Sequence, residues 1–391
     1  MCCPEPTARH PLLCIVPPHL LEHLARQTDP RLRSVAAAAR NTLALSSRLR
    51  EDRRALGQTL TQPLAAMTGK VRSICDAKGR TRLPGATVRG EGDPPGGDPA
   101  VNEAYDGLGA TYDLYWDVYA RNSIDGRGMA LVASVHFGAD FNNAFWNGTQ
   151  MVFGDGDGVI FQRFTKSLDV IGHELTHGVT QHEARLAYSH QSGALNEHFS
   201  DVFGSLVKQL KLRQTATAAD WLIGEGLFAP GIHGRALRSM KEPGTAYDDP
   251  RIGKDPQPAH MRDYVETSDD SGGVHINSGI PNRAFVKVAL GLEGYAWKQA
   301  GLVWYRALTQ ALRPHAKFVD AAEATTEIAG RDLGAAAAAV VREAWAAVGI
   351  PPAKAAGTRV ARKSVGRKEG AHAHRARTKR RARRASHRTG G

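Results

Sequence analysis

The segment His173-Glu174-Leu175-Thr176-His177 places two histidines four positions apart on a predicted helix. Because residues i and i+4 share one face of a helix, both imidazoles can reach the same metal ion. A catalytic zinc ion takes three protein ligands and keeps a fourth position for water. Glu197 follows His177 by twenty residues, enough for a loop and a return on a second helix. We therefore predict a zinc site formed by His173, His177 and Glu197.

The neighbours of these residues add to the prediction. Glu174 directly follows His173, so it cannot act as a third ligand on the same face, but it can take a proton from a metal-bound water. Asp201 lies four residues after Glu197 and can accept the free N–H of one ligating histidine, and Asn196 can serve the other. A bare pattern of two histidines around a glutamate also arises by chance on exposed helices, and the second acidic segment at this distance favours the metal site.

Six segments resemble blocks of the thermolysin family of zinc metalloproteases, in that family's order, between about Leu83 and Gly349. The resemblance implies an α+β fold, a thermolysin-like two-lobe protease with a β-rich N-terminal lobe, a helical C-terminal lobe and the active-site helix between them. It also implies a zinc-dependent neutral endopeptidase that acts on proteins and peptides. The segments are NNAFWNG, VFGDGDG, DVIGHELTHGVT, SGALNEHFSD, LRSM and SGGVHINSGI.

The same resemblance implies the rest of the site. His275 would stabilise the oxyanion of the tetrahedral intermediate, and Asp270 would orient the His275 ring. Tyr188 would donate a second hydrogen bond to the same oxyanion. Arg238 would bind the substrate carbonyl on the leaving-group side, although an arginine there can also be a structural ion-pair partner. The substrate main chain would add as a strand along Asn143 and Ala144. An apolar pocket for the residue after the scissile bond would be lined by Leu237, Val170, Phe161 and Phe164, which without the resemblance are equally well core residues.

The N-terminal zone contains CIVPPHLLEHLA, which is similar to the opening of the short propeptide in the protealysin-like branch of the family. The resemblance implies a precursor whose prosegment, residues 1–70, inhibits the enzyme intramolecularly. We predict a β-rich catalytic lobe over residues 71–182 that includes the active-site helix, and a helical catalytic lobe over residues 183–350. Residues 351–391 are predicted to be a disordered basic tail.

Periodicity predicts helices over residues 19–27, 30–52, 167–184 and 194–210, with two more long helical stretches over 281–312 and 318–349. Alternating segments predict strands within 129–138 and 149–156, joined by a hairpin-like connection at 142–148. Residues 83–100 are rich in glycine and proline and predict a loop.

The net charge of +12 comes from the tail. Residues 354–391 contain fourteen Lys or Arg and one acid, so the tail carries +13 and the rest of the chain −1. A basic tail of this kind can bind nucleic acid or anionic surfaces, or can be a solvated, dispensable extension.

The sequence gives less direct information about localisation and about calcium binding. No apolar run approaches the ~20 residues needed to span a bilayer, and the N-terminus is a poor match to a Sec signal peptide. The family resemblance implies secretion, with cytoplasmic retention or a non-standard route left open.

Asp169, Asp220 and Glu225 match acids of the family's double calcium site, but Lys208 and Leu222 replace two others. We therefore expect that double site to be lost, with a reduced Ca²⁺ site as the remaining alternative.

Overall fold

The computed structural model describes residues 13–56 and 69–352, and the side chains of these residues except 50–56. The predictions about the basic tail concern residues that lie almost entirely outside this described part. Within it, no helix has both the length and the apolar character needed to cross a membrane.

One six-stranded mixed sheet occupies the first part of the chain, in the order β1-β5-β6-β4-β2-β3. β2 pairs in parallel with β4, and β4 with β6, while the other neighbours are antiparallel. Without β1, strand β5 would be an edge of this sheet. The six strands are β1 (Leu13–Cys14), β2 (Arg72–Asp76), β3 (Ala86–Gly90), β4 (Leu131–Val135), β5 (Ala144–Trp146) and β6 (Met151–Phe153).

Helices make up most of the second part of the chain, so the predicted α+β class is confirmed. Two short ribbons accompany them, formed by β7 (Leu222–Ile223) with β8 (Arg238–Ser239) and by β9 (Asp248–Asp249) with β10 (Gly253–Lys254). The α-helices are α1 (Pro18–Ala25), α2 (Arg33–Leu56), α3 (Pro99–Asp113), α4 (Leu168–His182), α5 (His190–Leu212), α6 (Asp270–Asn277), α7 (Gly279–Leu292), α8 (Ala300–Arg306), α9 (Phe318–Leu333) and α10 (Ala335–Ala346).

The structure differs from the sequence prediction in five places. The predicted connection at 142–148 contains strand β5, and the predicted loop at 83–100 contains strand β3. Both strands are short and owe their conformation to pairing with neighbours, which local composition does not reveal. Strand β2 was not predicted at all. The helical stretch predicted over 281–312 is two helices, since α7 ends at Leu292 and α8 begins at Ala300. The stretch predicted over 318–349 is also two helices, because Gly334 has φ 95° and interrupts it.

Helices α4 and α5 pack closely because glycine lies on both sides of their contact. A Cβ atom on Gly172 would lie 3.0 Å from the Gly204 Cα, and a Cβ on Gly204 would lie 2.4 Å from the Asp169 carbonyl oxygen. The first distance is tighter than most real Cβ contacts, and the second is shorter than real Cβ atoms adopt. The two glycines therefore allow the approach that brings Glu197 on α5 to the histidines on α4.

Gly204→Ala tests this contact. We expect a loss of about 1–3 kcal/mol in the free energy of unfolding, because the added methyl meets backbone that cannot move away. Zinc affinity should fall as well, since the helices must separate. Gly330→Ala on α9 is the matched control, because a Cβ atom there would lie 3.4 Å from the Ala338 Cβ, an ordinary contact. This substitution should leave the free energy of unfolding unchanged or raise it. Chemical denaturation and metal titration measure both effects, and equal behaviour of the two variants would contradict the packing argument.

Candidate metal centre and peptide-binding cleft

Three fully buried side chains converge between α4 and α5. The Nε2 atoms of His173 and His177 are 3.0 Å apart. The Glu197 carboxylate lies 3.4 Å from the first of these nitrogens and 3.5 Å from the second. In the described part of the chain, these three residues are the cluster whose ligand atoms lie close enough together to hold a metal ion.

The partners of the two histidines determine which nitrogen carries the proton. His173 Nδ1 is 2.8 Å from Asp201 Oδ1, an acceptor, so this nitrogen donates. His177 Nδ1 is 2.8 Å from Asn196 Oδ1, and the Asn196 amide nitrogen donates to the Leu186 carbonyl. Both Nε2 atoms then direct lone pairs towards the Glu197 carboxylate.

This donor set fits a cation. Glu197 Oε2 is buried and has no hydrogen-bond partner among the described residues. Two imidazole lone pairs and a carboxylate at these distances repel each other unless a positive ion lies among them. Two histidine nitrogens and one carboxylate are also a ligand set typical of catalytic zinc. The residues present therefore fit the metal that the sequence predicts.

Asp201 links the metal-binding histidine to the rest of the core. Its carboxylate accepts hydrogen bonds from Arg238 Nε and from one Arg238 terminal nitrogen, at 2.9 and 2.8 Å, and from Asn282 Nδ2 at 2.8 Å. Burial opposes the charged form, but Arg238 and His173 hold the pKa of Asp201 well below its usual range. Arg238 is thus a structural ion-pair partner as well as a candidate substrate ligand.

The sequence analysis did not identify three residues of this network. Asn282 on α7 bridges Asp201 and His198 Nδ1, and the second nitrogen of His198 accepts from the Trp304 indole at 2.7 Å. These residues are spread over three helices and carry no local spacing signal. Only the packing of α5, α7 and α8 brings them together.

Strand β5 orients Glu174. The backbone N–H of Trp146 donates to Glu174 Oε2 at 2.9 Å, while Oε1 is buried without a hydrogen-bond partner in the described residues. Burial raises the pKa of Glu174 to about 8. One carboxylate oxygen beside the ligand cluster is thus held in place and the other is available to accept a proton.

His275 is held by Asp270 through an unusual turn. Asp270, Ser271, Gly272 and Gly273 all have positive φ, between 50° and 90°. This left-handed turn brings Asp270 Oδ1 to 2.7 Å from His275 Nδ1 and Oδ2 to 2.9 Å from the His275 backbone nitrogen. Although burial lowers the pKa of His275, Asp270 and Glu197 raise it to about 9. The ring therefore presents Nε2–H as a cationic donor to the cleft.

Tyr188 lies beside His275, and its hydroxyl is hydrogen-bonded to a metal-ligand residue. The hydroxyl donates to Glu197 Oε1 and lies 3.2 Å from His275 Nε2. The structure thus brings Tyr188, His275 and Glu197 together, as the family resemblance implies for the first two.

The cleft is filled by the chain's own N-terminal segment. Strand β1 pairs antiparallel with β5, and the Ile15 amide donates to the Ala144 carbonyl at 3.2 Å. Asn143 Oδ1 accepts from the Val16 amide at 3.0 Å. Arg238 donates to the Ile15 carbonyl at 3.0 Å. Residues predicted to hold a substrate main chain therefore contact an extended main chain here.

The four predicted pocket residues are all buried in the hydrophobic core that also contains Ile15. The rings of Phe161 and Phe164 have centroids 5.7 Å apart, and Phe161 also packs against Phe228 at 5.7 Å. Leu237 and Val170 are 2 % and 0 % exposed. These positions suit both a core and a pocket lining.

The three acids matched to a calcium site surround Lys208 Nζ. The distances from this nitrogen are 2.6 Å to Asp220, 3.0 Å to Glu225 and 3.4 Å to Asp169. The lysine side chain is 12 % exposed, and that of Asp169 is 1 % exposed. A fixed ammonium thus lies among the carboxylates.

Comparison with known proteins agrees with this geometry. Residues 67–181 match the family model described as thermolysin metallopeptidase, catalytic domain, and residues 184–350 match thermolysin metallopeptidase, alpha-helical domain. The chain is 56% identical to an extracellular metalloprotease from Pectobacterium carotovorum subsp. carotovorum over 71% of this chain and 81% of that protein. It is 40% identical to a thermolysin from Alicyclobacillus acidocaldarius subsp. acidocaldarius over 70% of this chain, spanning half of that protein's length.

A solved structure is similar throughout most of the chain. It is the precursor of protealysin, a metalloproteinase from Serratia proteamaculans, with a TM-score of 0.78 and 50% identity. The match covers 86% of this chain and 99% of that one. The family models, the relatives and the convergent ligand cluster agree, and the chain belongs to the thermolysin family of zinc metalloendopeptidases.

Proposed function

We propose that this chain is a neutral endopeptidase made as a zymogen, with zinc held by His173, His177 and Glu197. The observation that carries the proposal is the convergence of three buried ligand atoms whose other contacts leave lone pairs directed at one point. When bound, zinc would polarise a water molecule and lower its pKa towards neutrality.

The chain's own residues supply the remaining chemistry. Glu174 takes the proton of the attacking water at its free Oε1 and later passes it to the leaving amine. His275 donates from Nε2 to the carbonyl oxygen as negative charge develops there, and Asp270 keeps that nitrogen protonated. Tyr188 adds a second donor once its hydroxyl turns from Glu197. Arg238, Asn143 and Ala144 hold the main chain on the leaving-group side.

We infer a preference for an apolar residue after the scissile bond. The residue whose carbonyl contacts Arg238 in this structure is Ile15, which is 0 % exposed and belongs to the same core as Leu237 and Val170. A charged side chain in that environment would lose its hydration without a partner, at a cost of several kcal/mol.

The prosegment is proposed to act as an intramolecular inhibitor. β1 covers the edge of β5 that a substrate would need, and α1 follows it directly. Contacts farther along hold it in place: Gln27 donates to the Arg251 carbonyl at 3.0 Å, and Asn142 donates its backbone N–H to Thr42 Oγ1 at 3.1 Å. A substrate strand cannot pair with β5 until this segment leaves.

Secretion and calcium independence complete the proposal. Relatives named extracellular metalloproteases support an extracellular site of action. At the site matched to calcium, Lys208 takes the place of a cation, because its ammonium already balances the surrounding carboxylates.

Thermal unfolding with calcium and with a calcium chelator tests the role of Lys208. We expect the same midpoint in both conditions. Lys208→Ala should lower the free energy of unfolding. The loss should be smaller than the roughly 3–5 kcal/mol that breaking a fully buried ion pair costs, because Glu225 and Asp220 reach solvent. Lys211→Ala, an exposed lysine on the same helix, is the control and should change little. A midpoint raised by calcium in the unaltered chain would contradict this expectation.

Metal removal tests the proposed function. Chain freed of its prosegment should hydrolyse casein, lose that activity with 1,10-phenanthroline, and regain it with stoichiometric zinc. Full-length chain of verified intact mass should be much less active. If the zinc-loaded chain without its prosegment does not hydrolyse casein, the proposal is overturned.

A further inference from the structure

We propose that the prosegment is also the enzyme's first substrate, and that the zinc-loaded chain hydrolyses its own Cys14–Ile15 peptide bond intramolecularly. This inference rests on the proposed function of the site. It concerns a bond well inside the prosegment, distinct from the bond whose cleavage would separate the prosegment from the catalytic part. The argument uses the register of β1, the two carbonyls on either side of Ile15 and the burial of that residue.

The carbonyl groups identify the bond. His275 Nε2 donates to the Cys14 carbonyl oxygen at 3.0 Å, so this carbonyl faces the donor assigned to the developing oxyanion. The next carbonyl, of Ile15, accepts from Arg238 at 3.0 Å, the donor assigned to the leaving-group side. The peptide bond between these two carbonyls is Cys14–Ile15.

The direction of the chain is also that of a substrate. Going from N- to C-terminus, the main chain passes His275 first and Arg238 second, from the acyl side to the amine side. The Ile15 and Val16 amides donate to the Ala144 carbonyl and to Asn143 Oδ1, so both residues after the bond are held by the predicted substrate edge. A segment that blocked the cleft in the opposite direction would not show this order.

The residue after the bond is of the preferred type. Ile15 is apolar and completely buried. Pro17 and Pro18 come only after Val16, so the nitrogen of the scissile bond belongs to Ile15, an ordinary secondary amide. Nothing in the covalent structure of this bond makes it resistant to hydrolysis.

The reaction consumes one water. Its oxygen bonds to the Cys14 carbonyl carbon, the bond from that carbon to the Ile15 nitrogen breaks, and Glu174 transfers the water proton to that nitrogen. The carboxyl group formed at Cys14 gives up the second water proton, and the products are a Cys14 carboxylate and an Ile15 ammonium group. Residues from Ile15 onwards stay docked through His19, Gln27 and Thr42, which contact the catalytic part away from the reacting bond. The cut therefore trims the chain to Ile15 without by itself releasing the prosegment.

Intact-mass spectrometry of the full chain after zinc addition tests the proposal. We expect a form that begins at Ile15, produced by a first-order process whose rate does not depend on protein concentration. Glu174→Gln should slow its appearance at least ~100-fold. When the Glu174→Gln chain, isotopically labelled, is mixed with active chain, the labelled chain should keep its Cys14–Ile15 bond. Cleavage of the labelled chain at that bond as fast as the active chain would overturn the intramolecular step.

Two variants and one measurement without turnover make the test specific. Ile15→Leu should still be cut after residue 14, whereas Ile15→Asp should not. In the metal-free full chain, hydrogen exchange should show the Ile15 and Val16 amides protected, as their hydrogen bonds require. Unprotected amides would overturn the register.

The outcome also separates this inference from the proposed function. Suppose that the chain freed of its prosegment digests casein, but every zinc-loaded precursor keeps the Cys14–Ile15 bond. This result would overturn the inference and leave the proposed function standing. Failure to digest casein as well would overturn both.

Discussion

Glu174→Gln is expected to lower kcat for peptide hydrolysis by about 10²–10⁴-fold and to leave the zinc content unchanged. The amide has the size of the carboxylate and can still accept the Trp146 N–H, but it cannot take a proton from water. Zinc binding should persist, because the ligand atoms belong to His173, His177 and Glu197 and not to Glu174. Casein or short-peptide hydrolysis and metal analysis of the purified chain measure the two quantities.

A control separates loss of the base from loss of the fold. Glu323→Gln on α9 changes an exposed carboxylate far along the chain and should keep full activity. The Glu174→Gln chain should also unfold at the same temperature as the unaltered chain or slightly higher, since it removes a buried carboxylate whose burial is costly. Activity within a factor of a few of the unaltered enzyme would contradict the assignment of Glu174 as the base.

Asp201→Asn is expected to have the largest effect on stability, about 3–5 kcal/mol, together with a 10–100-fold loss of zinc affinity. The substitution removes the negative charge that pairs with Arg238, whose side chain is 2 % exposed, and leaves that guanidinium buried without a counter-ion. It also removes the carboxylate that fixes the tautomer of His173. Denaturant unfolding and competition with a zinc chelator measure the two effects separately.

Asp249→Asn is the matched control for this prediction. Asp249 is also buried and paired with an arginine, Arg251, but contacts none of the metal ligands. It should lower stability and leave zinc affinity unchanged. If both variants weaken zinc binding equally, the effect of Asp201 would be a general consequence of destabilisation and not of its contact with His173.

Much of the candidate site could be predicted because its spacing is local. Two histidines four residues apart must share a helix face, and an acid at a suitable distance on the next amphipathic segment can return to them. The structure places His173, His177 and Glu197 together for that reason. Asp201 and Asn196 follow from the same periodicity on α5, and both contact the histidines.

The parts that were missed depend on contacts between distant segments. Asn282 and His198 support Asp201 through helices that are separated in sequence. Strand β5 has only three residues and is a strand because β6 and β1 pair with it. Local patterns carry no information about such partners, since pairing and burial are decided by the whole fold.

The sequence by itself determined the chemistry of this protein: which side chains can hold zinc, which carboxylate can act as a base, and that one tail carries the excess charge. These properties depend on residue type and short-range spacing. Only the tertiary structure decided how the N-terminal segment lies in the cleft, with the Cys14 carbonyl at His275 and the Ile15 carbonyl at Arg238. That register joins residues more than two hundred positions apart, and it arises because an exposed strand edge and a buried arginine both need main-chain partners.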